Sequence, residues 1–306
     1  MFRKRKNKRF RKNSLAASCV ISLIIVQNLI AQNVSHSGTR LTETFGRQTF
    51  ADSISSRPTV WKTFGTDASN FISDAGDIFS SPLHFGTKEW IITGGIVGST
   101  IAMFPADESI RNFTARQHGR IQDVVMDFGR SYGSTYGFLI AGGIYATGFV
   151  IGDDEIRATG RMTVESLIFA GVITSVLKTV LGRSRPYTEE GAYKYRGFQF
   201  QTATTALPSG HATVAFALSS VLARRINNTW ASVFLYSAAG ITSISRIYHD
   251  AHWASDVLLG SAIGFAIGNA VVSVNESRST QTDSSEETYS WKLVPAFNGV
   301  SFILTF

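Results

Sequence analysis

Four uncharged runs constrain the fold of this chain more than any other feature. They cover residues 90–106, 131–152, 226–245 and 257–275, with 17, 22, 20 and 19 residues respectively. A helix needs about 17–25 apolar residues to span a bilayer, so each run is long enough for one crossing. Two further apolar segments, near 162–182 and 208–225, are interrupted: Glu165 and Lys178 punctuate the first, and His211 opens the second. Together they predict an all-α, transmembrane bundle of six helices. Gly94, Gly95, Gly98, Gly142, Gly143, Gly260, Gly264 and Gly268 recur at spacings that let membrane helices approach closely. Only 17% of residues are charged, against about 25% in soluble chains, which excludes disorder and fits an embedded body.

The segments flanking this bundle differ from it. Residues 1–13 carry eight basic side chains (Arg3, Lys4, Arg5, Lys6, Lys8, Arg9, Arg11, Lys12) and no acidic one. Without them the body is near neutral, so the net charge of +7 describes a terminus rather than a nucleic-acid-binding stripe. The uncharged stretch Ser14–Ala31 follows, which makes residues 1–31 a signal peptide. Leu29 is a poor residue three positions before a cut at Ala31, so an uncleaved anchor is the alternative. Cys19 is the only cysteine, which leaves the rest of the chain without disulfides, cysteine metal sites or thiol nucleophiles. Residues 32–88 read as a polar segment with one amphipathic patch around Phe71–Phe79, and 89–275 as the bundle domain. Residues 276–306 comprise a polar linker and a C-terminal β-hairpin, in which Asn298-Gly299 is the two-residue loop between alternating apolar runs.

Three clusters carry the chemistry: Lys178 through Arg185-Pro186, Pro208-Ser209-Gly210-His211, and Ser245-Arg246 through His252 to Asp256. Each falls at a predicted helix end, and helices alternating up and down bring all three to one face of the bundle. Lys178, Arg185 and Arg246 would repel one another there unless a tetrahedral oxyanion joined them. Pro208 suits a first helical turn, and the free N–H groups around Ser209 and Gly210 make an anion cradle. His252 and Asp256, four apart, share one face of a helix, so the carboxylate can hold one imidazole nitrogen and aim the other outward. An imidazole so aimed at a bound phosphate is a nucleophile, and His211 is the natural proton donor to the leaving oxygen. His249 lies nearby, but the spacing from Arg246 selects His252. Glu165 is thirteen residues before Lys178, about 20 Å along a helix, and is read as bundle-facing.

These clusters resemble the Lys-x6-Arg-Pro, Pro-Ser-Gly-His and Ser-Arg-x5-His-x3-Asp motifs of the type 2 phosphatidic acid phosphatase (PAP2) superfamily. That superfamily includes membrane lipid phosphatases, periplasmic acid phosphatases and vanadium haloperoxidases. Every motif position matches, and the likeness spans roughly residues 90–275. It implies a PAP2-like helical core in which Lys178, Arg185, Ser209, Gly210 and Arg246 bind phosphate. It implies that His252 becomes a phosphohistidine, that Asp256 orients it, and that His211 serves as general acid and then base.

The function expected is hydrolysis of a membrane lipid phosphate or pyrophosphate without a metal or other cofactor. The protein would be a multi-pass cell-membrane protein with its active site facing the periplasm or exterior. A soluble periplasmic acid phosphatase is one alternative. A haloperoxidase, in which the same cradle holds vanadate as cofactor, is another. Topology resists the first expectation. If Ser14–Ala31 delivers residue 32 outside, simple alternation puts Lys178 and Arg185 on the cytoplasmic side.

Overall fold

Turn residues set the helix boundaries. The computed structural model describes residues 60–286, 290–296 and 299–305. Among them are nine α-helices: α1 (Val60–Ser80), α2 (Thr87–Met103), α3 (Asp107–Ala115), α4 (Arg120–Tyr132), α5 (Thr135–Ile151), α6 (Asp154–Leu181), α7 (Gly210–Ile226), α8 (Thr229–Tyr248) and α9 (Ala254–Glu286). Gly152 in the left-handed conformation ends α5, and the Asp153 side chain starts α6 by accepting from the Ile156 N–H. Asn227, also left-handed, and Asn228, which accepts from the N–H groups of Trp230 and Ala231, do the same between α7 and α8. Residues 1–59, which hold the predicted signal or anchor, lie outside the described residues.

The expected count of six helices is therefore too low, and the uncharged runs misjudge helix length for a definite reason. Caps and turns are uncharged too. The run 226–245 contains the Asn227-Asn228 turn, 131–152 contains the Ser134 cap of α5, and 90–106 ends in a 3₁₀ turn at Phe104–Ala106. Two helices, α6 and α9, are long and apolar enough to cross a membrane, and α4 with α5, bent by 53°, would make a third if taken as one span. The segment expected to be interrupted, 162–182, belongs to the 28-residue α6. Its Glu165 is fully buried and accepts a 2.6 Å hydrogen bond from Arg161, one turn away.

α7 lies at the centre, packed by α6, α8 and α9. Of the glycines singled out, Gly260, Gly264 and Gly268 do bring helices together. A Cβ at each would lie 2.4, 2.3 and 2.8 Å from the carbonyls of Ser209, Thr213 and Ala217 in and just before α7. Gly94, Gly95, Gly98 and Gly142 instead face open space. The outward faces are apolar: Ile91, Leu139, Val176, Val233 and Phe265 are all exposed.

The segment read as polar contains a well-formed helix. α1 buries Asp67 and Asp74 together with Ile78, while Trp61, Phe64 and Ile72 are exposed. Asp74 accepts from Arg161, Arg278 and Asn275, and Asp67 accepts from Tyr145 and lies 3.3 Å from Arg157 Nε. Further along α1, Phe71 and Phe79 pack on Phe169 of α6. β1 (Ser290–Ala296) and β2 (Gly299–Thr305) pair antiparallel with Ala296 opposite Gly299, so Gly299 lies in the ladder rather than in the loop expected for Asn298-Gly299.

Candidate active site

The C-terminus of α6, the N-terminus of α7 and the α8–α9 connection meet at one end of the bundle. Lys178, in the last turn of α6, donates to the Thr205 carbonyl (2.7 Å) just before α7. A Cβ on Gly210 would lie 3.7 Å from the Lys178 side chain, so the first two clusters touch. The third joins them through backbone: the Ser209 N–H donates to the Asp256 carbonyl at 2.8 Å. α4 closes the fourth side, where Gly133 packs against the His211 carbonyl.

Two local expectations change. Helix α7 begins at Gly210 with Ser209 as its N-cap, so Pro208 precedes the helix rather than occupying its first turn. His252 lies in the connection before α9, and only Asp256 is helical, so the pair does not share a helix face. The two still meet because Asp256 is in the first turn and reaches back to accept from the Trp253 N–H (2.9 Å), as in a capping box. Its Oδ2 lies 3.6 Å from His252 Nδ1, within ion-pair range but too long for a hydrogen bond.

Electrostatics dominates here. His252 is almost completely buried, and burial, followed by the charges of Lys178, Arg185, Arg246 and His211, holds its pKa well below the ordinary histidine range. Arg185 Nε, Arg246 Nε and Nη1, Ser209 Oγ and His252 Nδ1 are buried and find no hydrogen-bond partner among the described residues. Buried polar groups are nearly always paired, so the Arg185, Arg246 and Ser209 donors among these are ones an anion would satisfy, whereas His252 Nδ1 faces Asp256. All eight residues singled out in the sequence thus gather at one end of the bundle. His249 stands apart, with Nε2 3.5 Å from Asp127 of α4.

Two further residues were missed. Arg183 is fully buried, donating from Nη1 to Asp256 Oδ1 (2.6 Å) and from Nη2 to Asp107 Oδ2 (2.7 Å). The rings of Phe104, Tyr195 and Trp253 surround its guanidinium. Arg183 lies inside the first cluster between Lys178 and Arg185, where its spacing could have drawn notice. Asp107, on α3, carries no sequence signal.

Buried Arg185 and Arg246 donors without a partner among the described residues, set around His252, are an arrangement suited to an oxyanion. Residues 162–279 match the PAP2 superfamily, so the resemblance read from the three clusters holds over this region. The chain is 45% identical over 69 residues to a lipid A 1-phosphatase of Porphyromonas gingivalis, covering 22% of this chain and 16% of that protein. It is 29% identical over 120 residues to one of Rhizobium etli, covering 37% and 50%. The chain thus spans half or less of the curated relatives it matches. Among solved structures, Aquifex aeolicus LpxE is similar at TM-score 0.45 and 19% identity, over 55% of this chain and 94% of that one. A transmembrane PAP2 type phosphatidylglycerolphosphate phosphatase from Bacillus subtilis is similar at TM-score 0.47 and 18% identity, over 69% and 96%.

Proposed function

We propose that this protein is a membrane-embedded phosphatase that removes phosphate from a lipid phosphate or pyrophosphate through a phosphohistidine at His252. The observation that carries the reading is the set of buried donors on Arg185, Arg246 and Ser209 with no partner among the described residues. With Lys178 and the Gly210 N–H, they would take the phosphoryl oxygens and neutralise charge developing in the transition state. Side-chain cations supply that counter-charge, so the reaction needs no metal.

His252 Nδ1 faces Asp256, which leaves Nε2 to attack phosphorus. As the N–P bond forms, the P–O bond to the lipid breaks, and His211 gives its proton to the leaving oxygen. Water then attacks phosphorus, His211 takes the proton, and the N–P electrons return to Nε2. The embedding draws support from α6 and α9, each long enough to cross, and from apolar side chains facing outward. A water-soluble acid phosphatase would expose those side chains to solvent. The relatives' activity makes the 1-phosphate of lipid A the first substrate to test.

Purified full-length protein in detergent, given ³²P-labelled lipid A 1-phosphate in EDTA, should release phosphate and yield an acid-labile, base-stable phosphoenzyme on quenching. Vanadate should block both, and His252→Ala should abolish the label. Label retained by the His252→Ala protein, or activity restored only by a divalent metal, refutes the mechanism.

A further inference from the structure

Beyond the motif residues, we infer that Asp107 is a positioning residue: through Arg183 it fixes the Asp256 carboxylate and keeps one net negative charge facing the His252 imidazole. The inference rests on the proposed histidine chemistry. It concerns an element, α3, outside the segment 162–279 that matches the superfamily.

The connection is continuous and fully buried at Asp107, Arg183 and Asp256. Asp107 Oδ2 accepts from Arg183 Nη2 (2.7 Å) and from Ser255 Oγ (2.6 Å), while Oδ1 accepts from the Ser255 N–H (2.9 Å). Arg183 Nη1 donates to Ser255 Oγ (2.7 Å) and to Asp256 Oδ1 (2.6 Å). Asp256 Oδ2 accepts from the Trp253 N–H and faces His252 Nδ1. The carboxylate is thereby held at both oxygens, with the face toward the imidazole determined.

Charge counting explains why a second carboxylate is present. Arg183 paired with Asp256 alone would be neutral, and the imidazole would then meet no net charge from this side. Asp107 makes the trio two carboxylates to one guanidinium, a net charge of −1. That charge favours an Nδ1–H directed at Asp256 and offsets the positive charge the ring gains when Nε2 attacks phosphorus. The largest charge effects on His252 from the other elements come from Lys178 of α6, Arg185 of the following loop, Arg246 of α8 and His211 of α7, and all disfavour a positive ring. The trio is therefore its source of compensating charge.

The test uses the full-length protein in detergent with p-nitrophenyl phosphate, together with ¹⁵N-histidine NMR. Asp107→Asn should lower kcat by about 10- to 100-fold, by analogy with the loss of an outer partner of a metal-bound histidine, with KM nearly unchanged. Adding Arg183→Gln should recover part of that loss, since Asp256 alone again presents −1. A merely structural network would make the double variant as slow as the single one or slower, and that result overturns the inference. The His252 signal, assigned by its absence in His252→Ala, should shift from the Nδ1–H tautomer toward a mixture in Asp107→Asn. This readout does not depend on turnover. An altered tautomer in a protein inactive on phosphomonoesters would overturn the proposed reaction while sustaining the positioning role, and an unaltered one would overturn the positioning role. Should Asp107→Asn fail to fold, Ser255→Ala, which releases one bond to Asp107, should produce the same tautomer change in smaller measure, and its absence counts against the inference equally.

Discussion

Replacing Arg246 by methionine should make the anion-free protein more stable and the anion-bound protein less so. Arg246 is buried with both Nε and Nη1 unpartnered among the described residues, and Lys178 and Arg185 add repulsion. An unsatisfied buried donor costs about 1–3 kcal/mol, more when charged. Methionine keeps most of the apolar stem and removes both donors, so a net gain of at least about 2 kcal/mol is expected in anion-free buffer. At roughly 2–4 °C per kcal/mol for a domain of this size, the midpoint should rise by about 4–8 °C. Vanadate reverses the order. At a concentration one hundred times its dissociation constant, a ligand stabilises the native state by about 2.7 kcal/mol, which should raise the wild-type midpoint by about 5–11 °C. The Arg246→Met protein should show little of that response. Differential scanning fluorimetry of both proteins in detergent, with and without vanadate, gives all four midpoints. A variant less stable than wild type without anion, yet equally stabilised by vanadate, would refute the claim that these donors await an oxyanion.

Two further outcomes follow from the same site. His252 is held neutral when folded but titrates near 6.5 when unfolded, so the unfolded state binds the extra proton; stability should be level above about pH 6.5 and fall below it, by at most about 1.4 kcal/mol per pH unit, with a smaller slope in His252→Asn, as acid titration followed by circular dichroism would show. His211→Ala should slow alkyl phosphates by about 10²–10⁴-fold and p-nitrophenyl phosphate far less, because a good leaving group needs no proton; equal losses on both substrates in steady-state assays would exclude the general-acid role.

The sequence was informative about the site because each cluster coincides with a helix boundary. Gly182 ends α6 four residues after Lys178, Ser209 caps α7 beside His211, and the connection before α9 presents His252. Boundary signals are local, so alternation of helices sufficed to bring the three together. Asp107 was invisible because its partner Arg183 is 76 positions away and nothing near either residue encodes the pairing. α1 was misread for a related reason. Its Asp67 and Asp74 reach Arg157, Arg161 and Arg278 in other helices, so much of its buried face is polar and the segment reads as polar, although the amphipathic patch at Phe71–Phe79 does pack inward on Phe169. In a lipid setting acyl chains would cover Trp61 and Ile72 while these ion pairs close inside.

That helix also determines which topologies are compatible with an exterior site. Asp67 lies beside Arg157, in the first turn of α6, whereas Lys178 is in its last. The 21 intervening steps measure about 30 Å, the thickness of a hydrocarbon core. α1 therefore begins at the end of the bundle remote from the site. A first segment that delivers the chain outside would put that remote end outside and the site in the cytoplasm, unless the chain recrosses before Val60. An exterior site requires Val60 to start from the cytoplasmic side. We expect the latter, the orientation anticipated from the sequence. Cys19 is the only thiol, so Cys19→Ser gives a clean background. Lys194→Cys probes the site end, where its carbonyl accepts from Ser184 N–H, and Thr229→Cys probes the remote end at the start of α8; both positions are exposed. In intact cells a membrane-impermeant maleimide should label the protein carrying Lys194→Cys and spare the one carrying Thr229→Cys until the membrane is permeabilised. The reverse pattern would place the site in the cytoplasm and make the first segment a translocating one.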